Sequence, residues 1–235
     1  MLDGKAILVV DDEPDLREIL SDEFRHSGAI VHEAANGQEA LRQSASQHFD
    51  VIVTDLRMPG GDGVSLARAL KARNTVSPIL VLMTGFADLT AEEAFDVGVE
   101  AFLTKPFHLD AIRENIERLL TPSVERWSGR GSSDLRPLDP PSVALGVQES
   151  LSYLGRGGMF WPGSVLQVRV GEEVSFTAGP ELSGTGVVRW VRPSSEAGRG
   201  SGLGLEFLSL EEKSLKWVTA QIEMRPPIAF LPRGF

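Results

Sequence analysis

The first 120 residues alternate between short apolar runs and stretches of helical periodicity, and this alternation limits the chain more than any other feature. Ala6-Ile-Leu-Val-Val10, Ala29–Ala34, Val51-Ile-Val-Thr54, Ile79–Met83 and Ala101–Leu103 are runs of strand length. Each is followed by a segment with apolar residues every three or four positions: Leu16, Ile19, Leu20 and Phe24; Ala40, Leu41 and Ala45; Val64–Ala72; Ala91–Val97; and Ile112, Ile116 and Leu119 or Leu120 within Leu109–Leu120. Runs that are apolar on every residue suit strands covered on both faces. Five strands alternating with five helices therefore predict an α/β doubly wound, five-stranded parallel sheet built from right-handed crossovers, over residues 1–121.

In such a sheet the residues just past the strands' carboxyl ends line the ligand crevice. Here those residues are Asp11 and Asp12, Asp55, Thr84, and Lys105 before Pro106. Asp55 ends an apolar run and precedes Leu56-Arg57-Met58-Pro59-Gly60-Gly61, a loop that cannot continue a regular element. Three neighbouring carboxylates repel one another, so a divalent cation is expected among them. Oxygen-only ligands favour a hard ion, Mg²⁺ before Ca²⁺. A carboxylate beside that ion, with a lysine and a hydroxyl in reach, can attack a phosphoryl group and form an acyl phosphate. Asp62 and Asp88 read as loop or helix caps, and His26, His32, His48 and His108 as surface residues without metal spacing.

Val10-Asp-Asp-Glu13, Asp55-Leu-Arg-Met-Pro-Gly60, Thr84-Gly85 and Phe102-Leu-Thr-Lys105-Pro106 together resemble the receiver domain of two-component response regulators, over residues 5 to about 121. The resemblance implies a flavodoxin-like receiver whose Asp55 accepts a phosphoryl group from a histidine kinase. It further implies Mg²⁺ held by Asp12, Asp55 and the backbone carbonyl of Arg57, with Asp11 acting through water. Lys105 would contact the phosphoryl group, and Thr84 and Phe102 would form the pair that reports phosphorylation. Whether dimerisation through the last receiver helices follows is left open.

From Thr121 the composition turns to Pro, Gly and Ser, so residues 122–141 read as a linker or extended arm. It carries Arg126-Trp-Ser-Gly-Arg130 within a run of arginines from Arg113 to Arg136, although the chain's net charge is −10. Beyond it, Val143–Leu154, Ser164–Val170, Glu172–Thr177, Gly186–Val191 and Gly202–Phe207 read as strands separated by Gly and Pro turns. These predict a small antiparallel β-barrel over residues 142–235. Ser209-Leu-Glu-Glu212 has the capping-box pattern, and Leu215, Val218 and Ile222 share one face of the helix it would open. Gly157-Gly-Met-Phe160, Val170-Gly-Glu-Glu-Val174, Val187-Val-Arg-Trp-Val191 and Gly202-Leu-Gly-Leu-Glu-Phe207 resemble a PilZ domain, roughly over residues 126 to 222.

PilZ domains typically bind cyclic di-GMP through an Arg-x-x-x-Arg pair and an Asp/Asn-x-Ser-x-x-Gly turn. The resemblance assigns Arg126 and Arg130 to the pair. In the turn Tyr153 stands where the acid or amide belongs and Gly155 where the serine belongs, while Gly158 matches. The output is thus expected either to bind cyclic di-GMP or to dock a downstream protein partner without a nucleotide. No helix-turn-helix fits the β-rich half, which disfavours DNA binding. No second acid cluster or nucleophile appears there, so the protein is expected to be no enzyme beyond phosphoacceptance and self-dephosphorylation. The absence of Cys, of a signal peptide and of any membrane-length apolar run leads to the expectation of a cytoplasmic protein with no membrane span.

Overall fold

The computed structural model describes residues 2–85, 89–129, 131–132, 134–139, 141, 153–163, 165, 167–179, 181–193 and 200–233. The chain divides into two compact units. The first holds Met1–Thr90 and Val97–Thr121, the second Ala91–Asp96 and Pro122–Phe235. Among the described residues no helix is long and apolar enough to cross a membrane.

In the first unit, β1 (Ala6–Val10), β2 (Ile30–Ala34), β3 (Val51–Asp55), β4 (Ile79–Thr84) and β5 (Ala101–Thr104) form one sheet in the order β2-β1-β3-β4-β5. Every pairing is parallel. This is the doubly wound sheet that the alternation predicts. β3 is buried at all five positions and β1 at four of five, because helices cover both faces of the sheet. The helices are α1 (Pro14–His26), α2 (Gly37–Ser46), α3 (Gly63–Arg73) and α5 (Leu109–Leu120). The sequence explains their starts. Pro14 occupies the first turn of α1, and Asn36 and Asp62 cap α2 and α3 by accepting the Glu39 and Ser65 amides. Asp62 is thus the cap expected of it, whereas Asp88 lies outside the described residues.

α4 (Ala91–Asp96) falls between β4 and β5 in sequence yet packs as part of the second unit. The remainder of that unit comprises α6 (Ser123–Trp127), β6 (Arg136–Pro137), β7 (Gly158–Pro162), β8 (Glu173–Ala178), β9 (Leu182–Arg192), β10 (Gly202–Leu210) and α7 (Glu212–Met224). Its strands form a five-stranded sheet in the order β6-β8-β9-β10-β7, antiparallel except for the short β6–β8 pairing.

Three expectations for this half change. Ser164–Val170 is not a strand among its described residues. It turns, with the Val168 amide donating to the Val165 carbonyl, and the paired strand is Gly158–Pro162 instead. Alternation over Leu166, Val168 and Val170 in the sequence imitates a strand, but Val170 points to solvent. The capping box does not form either: Ser209 belongs to β10 and its hydroxyl pairs with Thr185 at 2.9 Å, leaving Glu211 at the N-cap without a side-chain bond. The described residues of the Pro/Gly/Ser segment at 122–141 belong to the second unit and carry regular elements. α6 buries Trp127 against the edge of Phe207, and β6 joins the sheet. Finally, Val143–Leu154 lies outside the described residues up to position 152. The core of this unit gathers Trp127, Met159, Trp161, Phe176, Val188, Leu205, Phe207 and Val218.

Candidate functional site

Asp11, Asp55, Thr84 and Lys105 come together at the carboxyl edge of the parallel sheet because β1, β3, β4 and β5 all end there. The strand register enforces this: Val10 lies beside Thr54, Asp55 beside Met83, and Thr84 beside Thr104. Lys105 reaches back across the edge. Its Nζ sits 2.6 Å from Asp55 Oδ1, 3.2 Å from Asp11 Oδ2 and 4.0 Å from Glu13 Oε1.

Each carboxylate is further oriented by backbone. Asp55 Oδ2 accepts the Arg57 amide at 2.8 Å, and Asp11 Oδ1 accepts the Glu13 amide at 2.9 Å. Asp11 is fully buried and Asp55 nearly so. Burial pushes the Asp11 carboxyl above its usual range, against the opposing pull of the Glu13 amide and the Lys105 charge. For Lys105 burial pulls the other way, but the hydrogen bond to Asp55 and the charge of Asp11 prevail and hold its ammonium above the ordinary lysine value. The lysine therefore stays charged across the physiological range and balances the two acids.

Thr84 is buried and its carbonyl accepts the Lys105 amide at 2.6 Å, which ties the hydroxyl-bearing residue to the lysine-bearing loop. Phe102 is half-buried in β5 beside Leu82. Asp12 and Arg57 are exposed at the rim. Among the described residues no group of three or more acidic or histidine side chains is close enough to form a metal site by itself. The donors present are nevertheless all oxygens, two of them buried carboxylates, and that set suits a hard divalent ion.

Two contributors were not evident as site residues in the sequence. Arg17 donates to the Asp11 carbonyl at 2.7 Å from the first turn of α1, which steadies the acidic loop. Gly63 opens α3 directly under Asp55: a Cβ there would run into the Asp55 carbonyl and stand 2.7 Å from Leu82 Cδ1. The Gly60-Gly61-Asp62-Gly63 sequence carried the signal for a tight loop but not for this close approach.

Arg126 lies on α6, Arg130 is outside the described residues, and Gly158 begins β7. Tyr153 stacks on Phe160 at 5.7 Å, Phe160 stacks on Trp190 at 5.8 Å, and Arg192 lies over the Phe160 ring at 5.1 Å. Tyr153 is thus part of an aromatic column.

Comparison with known proteins agrees with the geometry of the first unit. Residues 7–117 match the family model described as the response regulator receiver domain. The Regulatory protein AtoC of Escherichia coli is 39% identical over 115 residues, covering 48% of this chain and 25% of AtoC. The DNA-binding transcriptional regulator NtrC of Salmonella typhimurium is 32% identical over 152 residues, covering 64% of this chain and 32% of NtrC. The chain thus spans about a quarter to a third of the length of these curated relatives. Among solved structures, the response regulator protein TrrA of Thermotoga maritima, in complex with Mg(2+)-BeF, is 30% identical with a TM-score of 0.46, covering 49% of this chain and 98% of that one. Sequence match and site geometry coincide on the same stretch, and residues 7–117 are a response regulator receiver domain.

Proposed function

We propose that the chain is a two-component response regulator in which Asp55 accepts a phosphoryl group from a histidine kinase, and that this controls a PilZ-like second unit acting as a protein-interaction module. The observation that carries the reading is the Lys105 ammonium held between Asp55 and Asp11 at 2.6 and 3.2 Å. In the transfer, the P–N bond of a phosphohistidine breaks as a P–O bond to Asp55 forms. Lys105 is placed to exchange its contact with the carboxylate for one with a phosphoryl oxygen, and backbone and burial keep the nucleophile oriented. Asp12, Asp55 and the Arg57 carbonyl would hold Mg²⁺, with Asp11 acting through water. The ion would neutralise charge on the transferring oxygens. Thr84 and Phe102 would sense the new group.

The PilZ-like reading of the second unit draws support from its largely antiparallel five-stranded sheet and from α7 following β10 directly. Arg126, Arg130 and Gly158 are the residues a cyclic di-GMP site would use. One observation favours the nucleotide-free alternative. The Gly155–Gly158 turn is covered by the chain's own residues: a Cβ on Gly155 would stand 2.8 Å from Pro232 Cδ, and one on Gly158 would stand 2.7 Å from Leu231 Cδ2.

Two measurements test the proposal. Beryllofluoride with Mg²⁺ is expected to shift amide resonances around Asp55, Thr84 and Lys105, and Asp55→Asn to abolish the shift. A mutant that responds like wild type removes Asp55 as acceptor. Calorimetry with cyclic di-GMP is expected to give no binding heat, and tight binding lost in Arg126→Ala or Arg130→Ala would overturn the interaction-module reading.

A further inference from the structure

The last described residues of the chain form an irregular strap, bent at Ile228, Phe230 and Leu231, over the turn that precedes β7. The amides of Arg156 and Gly157 donate to the carbonyls of Ala229 and Phe230, each at 3.0 Å. The Arg156 guanidinium closes on the Ile228 carbonyl through Nε at 3.3 Å and Nη2 at 3.1 Å. Phe230 and Leu231 are buried. The glycines make this contact possible, since a Cβ on Gly157 would overlap the Phe230 ring.

The strap's other side is taken up by α4. The Phe230 amide donates to the Phe95 carbonyl at 2.9 Å, and the two rings lie 6.0 Å apart. Arg233 binds Asp96 through its backbone amide at 3.2 Å and its guanidinium at 2.8 Å. Arg192, itself buried, donates to the Arg233 carbonyl at 2.9 Å and to Glu92 at 2.6 Å. Six residues of strap thus link the turn to a helix that the chain's order places between β4 and β5.

We infer that the Gly155–Gly158 turn and α4 form a two-sided seat for a largely apolar segment, that its occupant is the chain's own Ile228–Arg233, and that this occupancy holds α4 in the second unit. The inference deepens the nucleotide-free reading of the second unit and rests on it. Two successive backbone amides of the turn read two successive carbonyls of the strap, and Phe230 and Leu231 are buried against the turn's glycines. A cyclic dinucleotide approaching the turn would meet those glycines covered and those amides satisfied. An arginine at 156, where it clamps the strap's carbonyl, fits a turn adapted to peptide.

Hydrogen–deuterium exchange on the full chain, on a chain ending at Pro227, and on Gly157→Ala and Phe230→Ala tests this. Loss of the strap is expected to raise exchange at Arg156, Gly157 and Ala91–Asp96 by about tenfold, the order of one lost hydrogen bond, with β1 and β3 protection unchanged. Gly157→Ala keeps every strap residue and is expected to act like the truncation, so the outcome does not depend on whether the shortened chain folds well. If Ala91–Asp96 exchanges at the wild-type rate in all three variants, the strap does not hold α4. If cyclic di-GMP protects the turn once the strap is gone, the seat is a nucleotide site and the inference is overturned. The beryllofluoride response, measured on the same samples, fails separately if the phosphoacceptor reading is wrong.

Discussion

Lys71 is a charged side chain with no exposure at all, paired with Glu100 at 2.6 Å, and replacing it by methionine gives the sharpest stability test in the receiver domain. Lys71 Nζ also donates to the Pro78 carbonyl at 2.7 Å, and Glu100 Oε2 accepts the Leu80 amide at 2.7 Å. The pair therefore ties α3 to the entry of β4 and to the residue before β5. Lys71→Met preserves most of the volume but strips the buried carboxylate of its cation and the Pro78 carbonyl of a donor. Removing one partner of a buried pair costs about 3–5 kcal/mol. With a urea slope of about 2 kcal/mol per molar, the midpoint falls by about 2 M.

All four tryptophans, Trp127, Trp161, Trp190 and Trp217, lie in the second unit, so indole fluorescence does not report this transition and far-UV circular dichroism must be used. Lys71→Met/Glu100→Gln removes the stranded charge while leaving an oxygen for the Leu80 amide. It is expected to be more stable than Lys71→Met alone. A single variant that loses less than about 1 kcal/mol, the range of an exposed ion pair, would refute the reasoning. So would a double variant at least as unstable as the single one.

Two smaller perturbations probe the loop below Asp55. Asp62→Ala removes a cap that accepts the Ser65 amide at 2.7 Å and the Ser65 hydroxyl at 2.9 Å, and equilibrium unfolding is expected to show a loss of about 1 kcal/mol, with Asp62→Asn retaining most of it. Although burial raises the Asp62 pKa, the Ser65 bonds outweigh it and the folded value is depressed. The cap's ionic part is therefore present above the unfolded aspartate pKa and lost as pH falls through the folded one, so wild type and Asp62→Ala should converge in stability at acid pH. Gly63→Ala drives a Cβ into the Asp55 carbonyl, and an overpacking cost of about 1–3 kcal/mol is expected together with a weakened beryllofluoride response. An unchanged response would separate loop fit from phosphoacceptance.

The receiver half was legible because its signals are local. Strands buried on both faces are continuous apolar runs, helices show their stripe at three and four residues, and Pro14 and Asp62 mark helix starts within a residue or two of where they occur. Parallel strands must all end at one edge, so acids after β1 and β3 and a lysine after β5 were bound to meet. The β-rich half was harder to read. Leu166, Val168 and Val170 imitate a strand, Ser209 imitates a cap, and period-two patterns do not say which strand pairs with which.

What the sequence by itself determined is therefore the order and type of the receiver's elements and the gathering of Asp11, Asp55, Thr84 and Lys105, since these follow from periodicity and from the one-way direction of a parallel sheet. Tertiary structure alone decided that Lys71 finds Glu100, that Arg17 steadies the Asp11 loop, that α4 packs with the second unit, and that the strap at Ile228–Arg233 lies on a glycine turn some seventy residues earlier. Such pairings depend on which surfaces become buried together. A lysine or a glycine carries no mark of its distant partner until burial removes water as the alternative.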